Sequence, residues 1–520
     1  MNLLRDTSRW SIGSRMTLAV MAGGLHAVSM SWPTSGQPVW WLQLLALSVL
    51  AGMLRSSPGW RVAALLGWLF GTAWLVGTVS WLFTAMHTYG GLPSILAALA
   101  VFALSALLAL YYAAAAGLFV ALSARNDAAA ALVFAALWLV AELARGTWLT
   151  GFGWGASGYA QIDGPLAGLA PWVGAYGLAA VTAWLAMSLA QLVELRSEPS
   201  RGWRLGTLTL ILLIVAVPVT YRRFAAERSH SSGELSVTLL QGNIPQNEKF
   251  EAGSGVPLAL QWYAEQLQSS ASSLVIAPET AIPVLPQHLP PGYWEALQQR
   301  FDKTGQAALI GTPLGNEQLG YTNSVIGLKP AQAQTWRYDK IHLVPFGEFI
   351  PPLFKWFTAM MHIPLGDFNR GALRQAPFEW QGQRLSGNIC YENLFGEELA
   401  AQFIDPAQAP TIFVNISNLG WFGAGQAIDQ HLQISRLRAL EFERPFLLAT
   451  NTGATAIIDH RGRVTNALAR GTRSALVGSV QGRSGVTPYA WWAARFGLWP
   501  LWLLSLAVVL LAVRKVVQKA

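Results

Sequence analysis

The chain is nearly without cysteine: it has one thiol, Cys390, in 520 residues. That excludes an internal disulfide. It also excludes zinc-binding and dithiol redox patterns, which need several cysteines at short spacings. Charge is scarce as well. Charged residues make up 12% of the chain and hydrophobic residues 53%, with 24 tryptophans. That charged share is about half the usual value for a soluble globular protein. No internal repeat or low-complexity tract is present. The net charge of +8 comes from Lys and Arg gathered at the edges of apolar runs. Such a pattern reads as membrane topology, so the basic balance does not argue for a nucleic-acid partner.

The apolar residues are concentrated in runs. Stretches long enough to span a bilayer occur near 15–32, 38–54, 62–84, 93–122, 128–149, 168–193, 204–221 and 490–513. The first run lacks a small-residue cleavage site and is followed at once by more runs, so it reads as a retained, targeting helix. Basic residues set the orientation. Arg5, Arg9 and Arg15 precede the first run. Arg55 and Arg61 lie between the second and third. Arg196, Arg201 and Arg204 lie between the sixth and seventh, and Arg514, Lys515 and Lys519 follow the last. The loops near 33–37, 85–92 and 150–164 carry no Lys or Arg. The positive-inside rule then predicts both termini in the cytoplasm and the long 222–488 segment outside. Arg222 and Arg223 run against that rule, so the orientation rests on the sum. Glu142 and Arg145 fall one turn apart inside the fifth run, where they pair and brace the bundle or mark function.

The expected division is 1–221 as seven membrane helices, 222–488 as one soluble-type domain, and 489–520 as a last helix with a cytoplasmic tail. Within 222–488, short apolar runs at Leu235–Leu240, Leu274–Ala277, Ala307–Ile310, Thr411–Val414, Phe446–Ala449, Thr455–Ile458 and Ala475–Val480 alternate with helical patterns such as His431–Glu443. That alternation predicts an α/β domain. Asp459-His460-Arg461-Gly462 is a hairpin signal. About 260 residues suffice for one enclosed core.

Three segments of this domain carry chemistry. Cys390 lies in Asn388-Ile389-Cys390-Tyr391-Glu392, between an apolar run and a helix-like stretch. Glu279 ends Leu274-Val275-Ile276-Ala277-Pro278-Glu279, and Lys340 opens Lys340-Ile341-His342-Leu343-Val344-Pro345-Phe346-Gly347-Glu348. A lone free cysteine is most often an inert buried thiol. With a carboxylate and an ammonium, each at the end of a strand-like run, it reads as the nucleophile of a covalent acyl-transfer site. We expect the three at the carboxyl ends of neighbouring strands of an α/β sheet. Glu279 serves as the base for a thiol that attacks only as thiolate. Lys340 favours the thiolate or donates to the oxyanion, and the Tyr391 backbone N–H is a second oxyanion donor. Glu348 holds Lys340 or shuttles a proton; the alternative is a surface salt bridge. Glu392 supports the site or only braces the turn. His342 and His431 lack clear orienting partners and read as structural, or as residues that support the reacting groups from behind.

Together these segments resemble the Glu-Lys-Cys motifs of the nitrilase superfamily. With eight apolar runs, and the domain placed between the seventh and eighth, nearly the whole chain resembles the apolipoprotein N-acyltransferase family. Further matching segments are Gln241-Gly242-Asn243-Ile244-Pro245-Gln246, Ile416-Ser417-Asn418, Trp421-Phe422-Gly423, Thr450-Asn451-Thr452-Gly453, Thr150-Gly151-Phe152-Gly153-Trp154, and Tyr159-Ala160-Gln161-Ile162-Asp163-Gly164. One departure is visible: Leu419 stands where the family usually has an acidic residue after Ser-Asn.

The resemblance implies a helical membrane bundle of about eight helices plus an α/β nitrilase-like α-β-β-α sandwich in the periplasm. It implies the inner membrane of a Gram-negative bacterium, base Glu279, stabiliser Lys340 and nucleophile Cys390. The implied reaction is ping-pong. An acyl chain passes from a phospholipid to the thiol, then to the α-amine of diacylglyceryl-cysteine on an apolipoprotein. The bilayer supplies the donor, and no metal or cofactor is expected. Asn418 and Trp421 are candidate substrate contacts. So are Trp356, Phe357, Met360 and Met361, in an apolar segment at 353–363 that is too short to span and fits either a lid dipping into lipid or an ordinary core helix. A membrane-tethered amidohydrolase and an inactive lipid-binding scaffold are the competing readings.

Overall fold

The computed structural model describes residues 11–122, 127–193, 201–224, 228–332, 334–350 and 368–518, with backbone alone at 127–128, 201–203 and 221–224. The chain separates into two units. One comprises residues 1–82, 94–226 and 496–520; the other comprises 83–93 and 227–495.

In the first unit each apolar run is a helix, because a helix satisfies its own backbone hydrogen bonds where no water can. These are α1 (Ile12–Met30), α2 (Trp40–Arg55), α3 (Trp60–Val79), α4 (Ser94–Leu122), α5 (Asp127–Thr147), α6 (Ala170–Val193) and α7 (Arg201–Phe224). Among the described residues, five helical stretches are long and apolar enough to cross a membrane: 60–79, 94–122, 129–150, 165–193 and 499–517. The stretches 40–55 and 204–220 are apolar but shorter. α3 packs between α1 and α4, and α5 packs on α6.

Glu142 and Arg145 face each other at 3.0 Å, both fully buried. Arg145 also donates to the Tyr112 hydroxyl at 2.9 Å and to the carbonyls of Phe152 and Trp154 at 2.7 Å each. Glu142 accepts from the Ser157 N–H at 3.1 Å and its hydroxyl at 2.5 Å. The pair therefore clamps the 152–157 loop onto α5, and every charge in it is compensated.

The second unit is built on two six-stranded sheets. One has the order β12-β1-β2-β3-β4-β5 and the other β11-β10-β9-β8-β7-β6. In the first sheet β1 (His230–Gln241), β2 (Leu274–Ile276) and β3 (Ala307–Asn316) run parallel. β4 (Gly320–Leu328), β5 (Trp336–Asp339) and, on the far side, β12 (Ser474–Ser484) pair antiparallel to their neighbours. In the second sheet β7 (Gln383–Ile389), β8 (Ile412–Ser417) and β9 (Phe446–Thr450) are parallel. β6 (Phe378–Trp380), β10 (Ala456–Ile458) and β11 (Val464–Ala467) are antiparallel to theirs.

Side-chain alternation along each strand decides the layers. Leu235, Val237, Leu239, Leu274 and Ile276 point at Ile412, Val414, Ile416 and Leu447, making the core between the sheets. The intervening Leu240 and Val275 point outward, onto α8 (Gly255–Ser269) and α9 (Tyr293–Thr304) through Tyr263, Leu267, Leu297 and Phe301. Phe413, Phe446 and Ile458 meet α10 (Gln426–Phe442) and α11 (Pro488–Phe496) on the other side. The result is an α-β-β-α sandwich.

The apolar run expected to span at 490–513 divides. Its first part is α11, whose Tyr489, Ala490 and Ala493 are buried in the sandwich, and α12 (Trp499–Val517) follows. α12 belongs to the first unit, where it packs on α5.

Candidate functional site

Three strand ends converge here. Glu279 follows β2, Lys340 follows β5 directly and Cys390 follows β7 directly. The expectation of neighbouring strands in one sheet is corrected. β2 and β5 are separated by β3 and β4, and β7 lies in the facing sheet. A sandwich brings the ends of both sheets to one rim, which a single open sheet cannot do.

The local backbone at each group is strained. Cys390 itself is left-handed at φ 51°, as are Thr280 beside Glu279 at φ 48° and Phe346 near Glu348 at φ 64°. Non-glycine residues occupy this region at a cost, and such strain gathers at functional sites. The Glu279 turn fits only because β3 carries Gly311. A Cβ there would lie 2.3 Å from the Pro278 oxygen and 2.8 Å from the Glu279 Cα.

The Glu279 carboxylate accepts from the Asn323 side-chain amide at 2.7 Å and from the Asn418 backbone N–H at 2.9 Å. Lys340 Nζ stands 3.7 Å from Glu279 Oε1 and 2.8 Å from Glu348 Oε1. Glu348 is further held by Asn323 Nδ2 at 2.8 Å and the Val344 N–H at 2.9 Å. It is therefore bound to the buried lysine and is not a surface salt bridge. Burial pulls the Lys340 amine down, but Glu348, then Glu279, more than offset this and hold it above its ordinary value. The Cys390 thiol is pushed up, first by burial and then by the Glu279 charge, against the opposing pull of Lys340. The resting thiol is therefore protonated.

Glu392 braces two strand ends at once. It accepts from the Tyr338 hydroxyl at 2.9 Å, the Ile341 and His342 N–H groups at 2.5 and 3.1 Å, and the Ile389 N–H at 2.5 Å. Those donors flank Lys340 on both sides, and Ile389 immediately precedes Cys390. The Tyr391 ring packs 5.2 Å from Phe395 and 5.7 Å from His342. The Cys390 carbonyl accepts from Asn415 Nδ2 at 3.1 Å and lies 3.2 Å from His431 Nε2. His342 lies 2.8 Å from Glu398 and stacks on Phe395.

Asn418 is buried: besides its bond to Glu279, its amide donates to Gln246 at 2.6 Å. Trp421 is partly exposed, with its ring edge-on to Tyr89 at 5.7 Å. Leu419 is fully buried in the core between the sheets, an environment that suits an apolar residue. Trp356, Phe357, Met360 and Met361 lie outside the described residues.

Two residues of the site escape the sequence reading. Asn323 joins Glu279 to Glu348, and its signal is an amide inside a strand, where asparagine is disfavoured. Lys249 is fully buried and donates to the Glu279 carbonyl at 3.0 Å. Its only sequence signal is its place just after the Gln241–Gln246 segment.

A buried carboxylate, ammonium and thiol on the rim of an α-β-β-α sandwich define the class of protein. Residues 236–489 match the carbon–nitrogen hydrolase domain family. Residues 23–188 match the apolipoprotein N-acyltransferase N-terminal domain family. The chain is 56% identical over 509 residues to an apolipoprotein N-acyltransferase of Verminephrobacter eiseniae, covering 94% of each chain. It is 43% identical to one of Ralstonia nicotianae, covering 91% of this chain and 88% of that one. It is 40% identical to one of Bordetella bronchiseptica, covering 95% and 96%. The chain belongs to the apolipoprotein N-acyltransferase family.

Proposed function

We propose that this protein is a membrane-bound N-acyltransferase that carries an acyl chain from a phospholipid on Cys390 to the N-terminal amine of a diacylglyceryl-cysteine apolipoprotein. The observation that carries the mechanism is the convergence of Glu279, Lys340 and Glu348 within 3.7 Å links, beside a thiol held at a left-handed turn.

Because the resting thiol is protonated, attack and proton transfer go together. Glu279 takes the Cys390 proton as Sγ attacks the donor ester carbonyl. The oxyanion is met by the Lys340 ammonium and the Tyr391 backbone N–H. Collapse expels the lysophospholipid alkoxide, which recovers the proton from Glu279 and leaves a thioester. In the second half the acceptor amine attacks the thioester carbonyl and gives a proton to Glu279. The amide forms and the Cys390 thiolate is reprotonated. Glu348 keeps Lys340 charged and aimed, and Glu392 fixes the two strand ends to each other. Asn418 acts by orienting Glu279, and the half-exposed Trp421 remains a candidate substrate contact.

Residues 1–221 and 489–520 are assigned to about eight membrane helices. The 222–488 domain is assigned to the periplasmic side of the inner membrane, with both termini cytoplasmic. The charge distribution of the loops supports this topology, and two bilayer-resident substrates explain why a nitrilase-type domain is tethered. The test is a mass spectrum of Cys390 after incubation with phospholipid vesicles, repeated after a lipopeptide amine is added. An acyl adduct that the amine then removes as an amide is expected. Release of free fatty acid instead would mean a hydrolase, and no adduct at all would overturn the thioester.

A further inference from the structure

Lys249 is a second lysine buried at this site, and no step above uses it. It lies in the turn after β1, with its side chain fully enclosed. The turn is rigidly placed. The Lys249 N–H donates to the Pro245 carbonyl at 2.9 Å. Gln246 accepts from the Asn418 amide at 2.6 Å. Gly255 closes over the turn so tightly that a Cβ there would lie 2.0 Å from the Glu248 oxygen and 2.8 Å from the Lys249 Cα. Nζ then donates to the main-chain carbonyl of Glu279 at 3.0 Å.

A lysine buried only to anchor a turn is a poor choice. Removing an ammonium from water is costly unless an opposite charge compensates it, and one carbonyl is not a charge. The compensating charges belong to the reaction. Glu279 and Glu348 together outnumber the single ammonium of Lys340. The thiolate or oxyanion carries the negative charge that Glu279 gives up with the proton transfer, so the excess of one negative charge persists through the reaction unless another cation balances it. Glu279 and Cys390 both act electrostatically on Lys249, and Glu279, Lys340 and Glu348 act on Cys390. Burial lowers the Lys249 amine to about 7, with Glu279 and then Cys390 pulling it back up, so its charge is available near neutral pH.

We propose that Lys249 is a positioning residue for acyl transfer, holding the Glu279 backbone and supplying the second positive charge that balances the thiolate and the oxyanion. This rests on the reading of Cys390 as acyl carrier. When the proton moves from Cys390 to Glu279, negative charge shifts from one group facing Lys249 to the other, so the amine stays paired throughout.

The test uses the full-length protein in detergent. Cys390 is the only cysteine, so its rate of alkylation by iodoacetamide at a fixed mildly alkaline pH reports its own thiolate population. Thioester formation from phosphatidylethanolamine–phosphatidylglycerol vesicles is measured beside it. K249M removes donor and charge, K249Q keeps a donor without charge, and K249R keeps both. Loss of a nearby opposite charge shifts a pKa by roughly one unit or more, and one unit is tenfold in thiolate population. K249M and K249Q are therefore expected to slow both alkylation and thioester formation about tenfold. K249R is expected to react as the parent does. K249Q decides the matter if K249M does not fold. A parental alkylation rate in K249Q, or a K249R that reacts as slowly as K249Q, overturns the proposal. So does thioester loss that only tracks the unfolded fraction. Acyl transfer by Cys390→Ala would instead sink the thioester reading itself; a dead Cys390→Ala with parental Lys249 variants would sink this inference alone.

Discussion

Cys390 combines three properties that an inert core thiol does not need together: a left-handed backbone, a carbonyl held from two sides, and a thiol pushed up by burial beside a carboxylate. Cys390→Ala is expected to fold, since a small apolar residue suits the enclosed position, and to lose both thioester and transfer. Cys390→Ser is expected to be nearly dead as well, because a hydroxyl is far harder to ionise than a thiol. Substantial transfer by purified Cys390→Ala is the result that excludes the mechanism. Lys340→Arg tests geometry apart from charge. The side chain is 1% exposed and seated at 2.8 Å on Glu348, and a planar guanidinium cannot present donors as an ammonium does. Losing one oxyanion donor costs about 10²–10³ in rate, so a loss of that size in single-turnover thioester formation is expected. A near-normal rate would leave Lys340 a charge role only. The residue types Glu, Lys and Cys were legible in the sequence because each ends a strand-like run. Asn323 and Lys249 were not, because an amide in a strand and a lysine after a turn acquire meaning only from what they face.

At the scale of elements, the apolar strands were legible through their runs, and β1, β2, β3, β8, β9, β10 and β12 lie where those runs fall. β4 and β5 were not. β4 buries polar Thr322, Asn323 and Ser324 ahead of its short Val325-Ile326 and Leu328 stretch, and the short β5 alternates charged with aromatic residues, so the apolar signature is broken in β4 and missing in β5. Helix α10 shows how an element serves the site while contributing no reacting group. It carries His431 to the carbonyl of Cys390. Burial lowers this imidazole from 6.5 to about 4, partly offset by that carbonyl, so the folded protein holds it neutral. A depressed pKa gives stability that is full above 6.5 and is lost as pH falls through about 4. The contribution at stake is about 3 kcal/mol. Melting temperatures measured between pH 7 and pH 4.5 are expected to fall less steeply for His431→Gln, which keeps a donor and cannot titrate. Identical slopes for parent and variant would show that another group governs the acid lability.

At the scale of the whole molecule, orientation is the testable property. A periplasm-active reporter inserted at 460–485 is expected to be active, and a reporter after Ala520 to be active only in its cytoplasmic form, because the positive-inside rule predicts a cytoplasmic position for the basic clusters at 196–204 and 514–519. Cytoplasmic activity from 460–485 would overturn both the orientation and the acceptor assignment. The amino-acid sequence by itself determined the division into apolar helices and an α/β domain, since hydropathy and periodicity are local properties that need no partner. It also determined the family, and it marked Glu279, Lys340 and Cys390. Only the tertiary structure decided that these three come from two facing sheets, that Ala490 and Ala493 of an apolar run belong to the sandwich, and that Asn323, Glu392 and Lys249 surround the reacting groups. The physical reason is distance along the chain. Glu279, Lys340 and Cys390 are brought together by pairing and packing between residues far apart in sequence, and that convergence leaves no periodic trace in any one segment.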